Sequence, residues 1–409
     1  MGIVERLKER DLIDNITSQN LEKHLSQPRK FYFGIDPTSD SLHIGTLTLI
    51  SMSRWLQKEG HTPVIVIGGG TARIGDPSGK QKERPLLPGE TIEHNARQLT
   101  KQVKELLLPF PSVEVVNNYD WLREMTFLHF LRDIGKCARL GPMLVRESVA
   151  TRLTSGEGMS FAEFSYSLLQ GYDFVHLSKH HGVTLQLGGS DQWGNIVAGI
   201  ELIKKQTQQV CYGMTTPLLL KRDGQKFGKT AEGTLWLSKG KISPYAFYQG
   251  LWNVHDEEVV TYLKRLTEIS VVGDPQEARA LLANSLTQQL FGREEWNRVM
   301  QGIDAARPGT GMGKEISSER LEALRDVVPS HEVSPGVALL DALVETGILK
   351  SKGEGRRLIQ NKGLYLNEEP VEDADLLLEG AYWKGQFCLV GVGKKKKHLF
   401  ISPSSVSPK

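Results

Sequence analysis

The chain has 409 residues, 39% of them hydrophobic and 24% charged, and its 50 basic and 48 acidic side chains nearly cancel to a formal net charge of +2. That length accommodates two or three domains with packed cores. Three cysteines far apart in the sequence, Cys137, Cys211 and Cys388, exclude a disulfide framework and a cysteine zinc site, and no apolar run approaches the ~18 residues that a bilayer span requires.

The N-terminal MGIVERL alternates charged and apolar residues and lacks the apolar core of a signal peptide. The acidic Glu5, Glu9 and Asp11 speak against a transit peptide. A cytoplasmic protein without a membrane partner is expected. There is no HExxH motif, and His180 and His181 are adjacent and so point apart, so no protein-held metal is expected.

Residues 30–35 (KFYFGI) read as a strand, followed by a proline-containing loop and a helix from about 44 to 59. Leu47, Ile50, Trp55 and Leu56 give that helix an apolar face, and Gly60 closes it. Residues 63–67 (PVIVI) carry the β-branched run of a buried parallel strand and end in Gly68, Gly69 and Gly70. Strand, helix, strand and glycine turn make a βαβ unit. A further strand at 183–187 again runs into glycines, Gly188 and Gly189, with Ser190, Asp191 and Gln192 behind them. Ligands in open α/β sheets sit beyond the carboxyl ends of strands, so the loops 34–46, 68–79 and 188–192 predict one pocket. From 244 to about 306 the pattern is helical, as at 257–266 and 275–290. The breaker cluster RPGTGMG at 307–313 and a second hinge candidate at 329–336 follow, then an amphipathic segment at 337–348. Domain changes are placed near 242 and 335.

Several residues in these segments suit nucleoside triphosphate chemistry. Thr38 and His43 flank a tight turn at a helix start and could both donate to one phosphate oxygen; taken singly, each also reads as a loop residue with solvent or capping contacts. Lys226, Lys229 and Thr230, in KFGKT, put two ammonium groups on a glycine-containing loop, suited to a charge that develops during reaction. The plain alternative is a solvated basic turn. Lys80 and Arg84 add cations next to a glycine turn where Asp76 could hold an ammonium group or cap its own backbone. Tyr166, Gln170 and Asp173 fall at i, i+4 and i+7, on one helical face among Leu168, Leu169 and Phe174. They form either a pocket wall for a ligand with hydrogen-bonding ends or a buried polar network. Near the C-terminus, the Arg356–Arg357 neighbourhood and the run Lys394 to Lys397 are basic.

The segments YFGIDPTSDSLHIG, GGGTARIGDPSGK, NNYDW, FSYSLLQGYDF, LQLGGSDQWGNI and PLLLKRDGQKFGKT, in this order, resemble the bacterial-type tyrosyl-tRNA synthetases, and the resemblance covers nearly the whole chain. It implies an α/β protein with a Rossmann-like parallel-sheet catalytic domain at 1–242 that includes a dimer-forming insertion and the 226–230 loop. An α-helical anticodon-side domain at 243–325, a linker at 326–337 and a small C-terminal α+β, ribosomal-protein-like RNA-binding domain at 338–409 would follow. The implied activity is activation of L-tyrosine with ATP to tyrosyl-adenylate and pyrophosphate, then transfer to tRNA(Tyr). Magnesium would travel with the nucleotide, and the chain would be a homodimer.

By motif position the resemblance assigns Tyr32 and Asp173 to the substrate phenol, and Asp76, Tyr166 and Gln170 to its ammonium group, with Thr71, Asn118 and Gln192 nearby. Gly34, Asp36, Gly45, Thr46, Gly189 and Asp191 would approach the nucleotide. Thr38 and His43 would bind the γ-phosphate, helped by Lys80, Arg84, Lys226, Lys229 and Thr230. Lys352, Arg356, Arg357 and Lys362 would meet tRNA phosphates, giving a salt-dependent affinity. The sequence departs from the family pattern at Thr46, where the signature carries a second histidine or an asparagine, and at Phe33, bulkier than the small residue often found there; Gly70 and Arg73 differ mildly. The competing readings are an RNA-binding protein that kept the fold and lost catalysis, a tryptophanyl-tRNA synthetase, and a tRNA-independent nucleotidyltransferase. Intact Thr38, His43, Asp76, Asp173, Lys229 and Thr230 disfavour the first, Tyr32 and Asp173 the second, and the three-part layout the third.

Overall fold

The computed structural model describes residues 1–79, 85–107, 113–154, 156, 158–222, 224–225, 227–230, 233–270, 272–306, 317–325, 327–393 and 396–403. It divides into two compact units, Met1–Lys241 with Gly250–Leu282, and Ile242–Gln249 with Ala283–Lys409.

The first unit is built on a six-stranded sheet. In chain order its strands are β1 (Asn15–Ile16), β2 (Lys30–Ile35), β3 (Thr62–Ile67), β4 (Glu114–Asn117), β5 (Val183–Gly189) and β6 (Tyr212–Thr216). Their spatial order is β1-β6-β5-β2-β3-β4. All neighbours are parallel except β1, which runs antiparallel to β6 at the edge. The central strands are apolar because both faces are covered: Phe31, Phe33, Val64, Ile65 and Leu185 are fully buried.

Helices make the crossovers. After α1 (Ile3–Glu9), α2 (Leu47–Lys58) links β2 to β3 and α3 (Gly89–Leu106) links β3 to β4; α4 (Phe161–His181) leads into β5, and α5 (Trp193–Thr207) links β5 to β6. Because β5 and β3 lie on opposite sides of β2, the chain winds away from β2 in both directions. Such a reversal opens a crevice at the strands' carboxyl ends. The start of α4 is held firmly. Ser160 Oγ accepts from the Glu163 N–H at 3.2 Å, and the buried Glu163 carboxylate takes both terminal nitrogens of Arg152 at 2.9 and 3.0 Å.

A domain change near 242 is the sequence expectation, but residues 250–282 belong to the first unit. The buried Arg10 explains this. Its guanidinium donates to the carbonyls of Lys264, Thr267 and Ile269 at 2.9, 2.6 and 2.9 Å, satisfying the last turn of α6 (Asp256–Leu266). Glu268 receives Arg54 and Lys58 of α2 at 2.6 and 2.5 Å.

From α7 (Pro275–Phe291) the chain passes to the second unit, with α8 (Arg293–Ala306) and α9 (Ser318–Ala323). A short hairpin in the first unit, β7 (Lys229–Thr230) with β8 (Gly233–Thr234), precedes the strands of the second sheet. These are β9 (Ser330–Glu332), β10 (Leu364–Leu366), β11 (Glu369–Pro370), β12 (Phe387–Val392) and β13 (Lys396–Ile401), in spatial order β11-β10-β12-β13-β9. Residues 326–337, expected as a linker, thus include β9, which pairs in parallel with β13. Leu321 and Leu324 pack on Phe387, Leu389 and Leu399, so this body begins before 326. On its other side, α10 (Leu339–Glu345) and α11 (Lys352–Gln360) cover a core of Leu340, Leu343, Leu364, Trp383 and Phe400.

Candidate active site

A cavity of about 470 Å³ lies beyond the carboxyl ends of β2 and β5. It is lined by Tyr32, Gly34, Asp36, Thr38, His43, Gly45, Thr46, Thr71, Asp76, Asn118, Tyr166, Gln170, Asp173, Gly189, Asp191 and Gln192, residues far apart in the chain that the sequence reading grouped together. Lys80, Arg84 and Lys226 lie outside the described residues, and for Lys229 and Thr230 only the backbone, in β7, is described. Phe33 is fully buried and is not among the lining residues, whereas its neighbours Tyr32 and Gly34 are.

One end of the cavity is a connected polar network. Tyr166 Oη donates to Asp36 Oδ2 at 2.9 Å, and Thr71 Oγ1 donates to Asp36 Oδ1 at 2.7 Å. Asn118 Nδ2 donates to Thr71 Oγ1 and to Asp173 Oδ2 at 2.9 and 3.0 Å, and its Oδ1 accepts from the Gly70 N–H at 2.7 Å. The other Asp173 oxygen accepts from the Trp121 indole at 2.8 Å. Gly68 permits this arrangement, since a Cβ there would overlap Asp36 Oδ1 and Thr71 Oγ1. Burial pushes the Asp173 carboxyl up to about 7, against the pull of its Asn118 and Trp121 donors.

Tyr32 stands out within this end. Its side chain is 1% exposed, yet its hydroxyl has no hydrogen-bond partner among the described residues. Burial, reinforced by the charge of Asp173, holds its phenol well above the ordinary value, so it is a neutral donor and acceptor. A buried hydroxyl left unpaired costs about 1–3 kcal/mol, a cost that a bound polar group in the cavity removes. The adjoining wall holds Asp76, whose Oδ1 accepts from the Ser78 N–H at 3.0 Å and Oδ2 from Gln192 Nε2 at 2.8 Å. Asp76 therefore caps its own turn, one of the two alternatives read from sequence, and it also lines the cavity.

The other end brings the two lysine- and histidine-bearing signatures together. His43 caps the short turn Ile44–Thr46, with its Nδ1 accepting from the Gly45 N–H at 3.1 Å. This leaves the proton of the neutral ring on Nε2. The strand-like segment after β8 pairs with the same turn: Ile44 N–H donates to Leu235 O at 2.9 Å, and Leu237 N–H to Leu42 O at 2.8 Å. Gly228 makes the fit possible. Its φ is +98°, and a Cβ would stand 2.6 Å from Ile44 Cγ2. Leu49, Pro217, Leu218, Leu219 and Phe227 add apolar surface to the lining.

Among the residues that sequence alone does not single out, Trp121 and Asn195 position others of the site. Trp121, in the NNYDW segment, orients Asp173 and stacks on His176 with ring centroids 4.3 Å apart. Asn195, 6% exposed, donates to Gln170 Oε1 at 3.0 Å and to Gln192 Oε1 at 3.2 Å, bracing α4 against α5. A polar residue on the buried face of α5, three positions after Gln192, was the available signal. In the second unit Lys352, Arg356, Arg357 and Lys362 are all exposed, on or just after α11.

Comparison with known proteins identifies the family. The family model for class I tRNA synthetases (W and Y) matches residues 24–306, and that for the tyrosine–tRNA ligase SYY-like C-terminal domain matches residues 320–400. The tyrosine–tRNA ligase of Protochlamydia amoebophila is 42% identical over 420 residues, spanning 97% of this chain and 98% of that one. The chloroplastic/mitochondrial tyrosine–tRNA ligase of Arabidopsis thaliana is 41% identical over 424 residues, spanning 97% and 83%. Among solved structures, a C-terminally truncated mitochondrial tyrosyl-tRNA synthetase of Aspergillus nidulans superposes with a TM-score of 0.65 at 30% identity, covering 74% of this chain and 94% of that chain. A connected polar cavity at a sheet switch point, two family models in tandem and full-length relatives converge: the chain belongs to the class I tRNA synthetases, and among them to the tyrosine–tRNA ligases.

Proposed function

We propose that the cavity binds L-tyrosine at its polar-network end and ATP at the His43 end, forms tyrosyl-adenylate, and passes the tyrosyl group to the 3′ end of tRNA(Tyr). The observation that carries the reading is the unpartnered, buried Tyr32 hydroxyl in the same cavity end as Asp173. A phenol fits there by donating to the Asp173 carboxylate and accepting from Tyr32. Phenylalanine would leave both groups unpaired; tyrosyl-tRNA synthetases are themselves the established example of rejecting an analogue in this way. Asp76, Tyr166 and Gln170 hold the ammonium group, with Thr71, Asn118 and Gln192 behind them. The substrate carboxylate attacks the α-phosphate and needs no general base. Thr38 and His43, with Lys80, Arg84, Lys226, Lys229 and Thr230, stabilise the charge that grows on the departing pyrophosphate, while Gly34, Asp36, Gly45, Thr46, Gly189 and Asp191 lie along the nucleotide. Magnesium arrives on the triphosphate as part of the substrate.

Lys352, Arg356, Arg357 and Lys362 serve as phosphate contacts for tRNA on an RNA-binding domain. Phe127, Leu128, Leu140, Val145 and Phe161 are 62–77% exposed; such a concentration of apolar side chains supports a homodimer formed through 127–161. A cytoplasmic site of action belongs to the same reading. No helix among the described residues is long and apolar enough to cross a membrane.

Tyrosine-dependent ATP–pyrophosphate exchange tests the reading. Exchange is expected with tyrosine and not with phenylalanine or tryptophan; its absence with all three sinks it.

A further inference from the structure

Trp121 and His176 both line a second cavity, of about 450 Å³, which shares no lining residue with the catalytic one. Trp121 connects the two. Its side chain borders the second cavity, while its indole N–H donates at 2.8 Å to Oδ1 of Asp173, in the lining of the first.

The indole sits on a short helix, Tyr119–Leu122, and is half-buried at the margin of the core cluster that contains Val64, Phe130 and Phe174. A ring bordered by empty volume lacks close contacts on that side, so packing alone does not fix its direction. His176 supplies a contact that does. The two ring centroids are 4.3 Å apart and the planes 13° from parallel, a close stack. His176 follows Asp173 by three residues on α4 and so lies on the same side of that helix. One helix therefore grips the indole twice, at its N–H and across its face.

On α4 the His180 and His181 rings stand 4.5 and 6.0 Å from that of His176, and Tyr172 stands at 6.4 Å. From β4 comes Glu114, which meets His181 Nδ1 at 2.6 Å and Lys30 at 3.5 Å, and the short helix adds Asp120 to the cavity wall. Burial, helped by the two neighbouring imidazoles, pushes His176 down to about 4, so the stacked ring is uncharged at neutral pH.

We propose that His176 is a positioning residue for tyrosine recognition: by stacking on Trp121 it holds the indole N–H on Asp173 and keeps that carboxylate aimed at the substrate phenol. His176 is not part of the catalytic cavity's lining and acts through the indole. This inference rests on the assignment of tyrosine to that cavity and adds a residue outside it on which the phenol contact depends. A donated N–H favours the ionised carboxylate. Its loss leaves Asp173, which burial already pushes up to about 7, protonated to a higher pH.

In tyrosine-dependent pyrophosphate exchange by the full-length protein, His176→Ala is expected to raise the KM for tyrosine about three- to tenfold, with kcat and the KM for ATP unchanged. The pH below which that KM climbs is expected to move upward. His176→Phe restores a ring face and should return both readings towards wild type. Trp121→Phe removes the N–H and should shift both in the same direction as His176→Ala. Adding His176→Ala to Trp121→Phe should then change little more, because the imidazole acts through the indole. An unaltered KM for tyrosine in His176→Ala overturns the proposal, and so do additive effects in the double variant. Weakened binding of both substrates with a lowered thermal midpoint overturns it too, by marking His176 as structural. Wild-type protein without exchange would instead refute the functional reading itself.

Discussion

At the α4 end of the cavity, Tyr166, Asp36, Thr71, Asn118, Asp173 and Trp121 satisfy one another through hydrogen bonds of 2.7–3.0 Å, and the Tyr32 hydroxyl is left over. At the His43 end, His43 is braced by its own turn, and much of the cavity wall is apolar; the cavity-lining Thr48 and Thr216 have hydroxyls without a partner among the described residues. The contrast matches two physical tasks. A network already closed within the protein needs little reorganisation and reads a small substrate by one missing partner. A triphosphate changes its charge during reaction, so its end relies on groups whose grip strengthens in the transition state.

Breaking the nucleotide end should give the largest effect. His43→Ala is expected to lower kcat for tyrosine activation about 10²–10³-fold, with the KM for tyrosine unchanged in pre-steady-state or exchange kinetics. A large rise in the KM for tyrosine would show that the two ends are not separable. At the other end, Asp173→Asn removes a charged acceptor and is expected to lower kcat/KM for tyrosine on the order of 10²-fold, with the KM for ATP nearly constant.

The same carboxylate sharpens the comparison through pH. Asp173 titrates at about 7 in the folded protein against an ordinary value of 3.8. The phenol needs the ionised acceptor, so the KM for tyrosine is expected to be flat above pH 7 and to rise up to about tenfold per unit below it. Between these two values the folded state holds a proton that the unfolded state releases, so this group's contribution to stability is full at low pH and declines as pH rises towards 7. Asp173→Asn should therefore remove that decline in a urea titration series, and a wild-type KM for tyrosine independent of pH from 6 to 8 would contradict the assignment. Smallest is Tyr32→Phe, expected to raise the KM for tyrosine about two- to tenfold while raising the thermal midpoint; a lowered midpoint would mean that the hydroxyl is paired in the free protein.

Periodicity and turn chemistry made much of the first unit legible. The strand at 30–35, the helix ending before Gly60 and the helical face of Tyr166, Gln170 and Asp173 all occur in the structure, at β2, α2 and α4. These are local consequences of apolar spacing. The division near 242 was less legible, because α6 is amphipathic wherever it docks; a single distant arginine, Arg10, decides that it belongs with the sheet. The edge strand Ser330–Glu332 reads as linker in the sequence for a similar reason. Three residues carry too little pattern to reveal that β13 will pair with them.

By itself the sequence determined which chemical groups are present and which short segments carry them, since glycine turns, apolar runs and a polar helical face are properties of neighbours in the chain. Only the tertiary structure decided which of those groups are satisfied. Nothing in the sequence separates Thr216, whose hydroxyl is unpaired among the described residues, from Thr215, whose hydroxyl is bonded, or marks the hydroxyl of Tyr32 as unpaired. Whether a buried polar atom has a partner depends on elements far apart in the chain that fold around it, and those without one in the cavity point to where substrate binds.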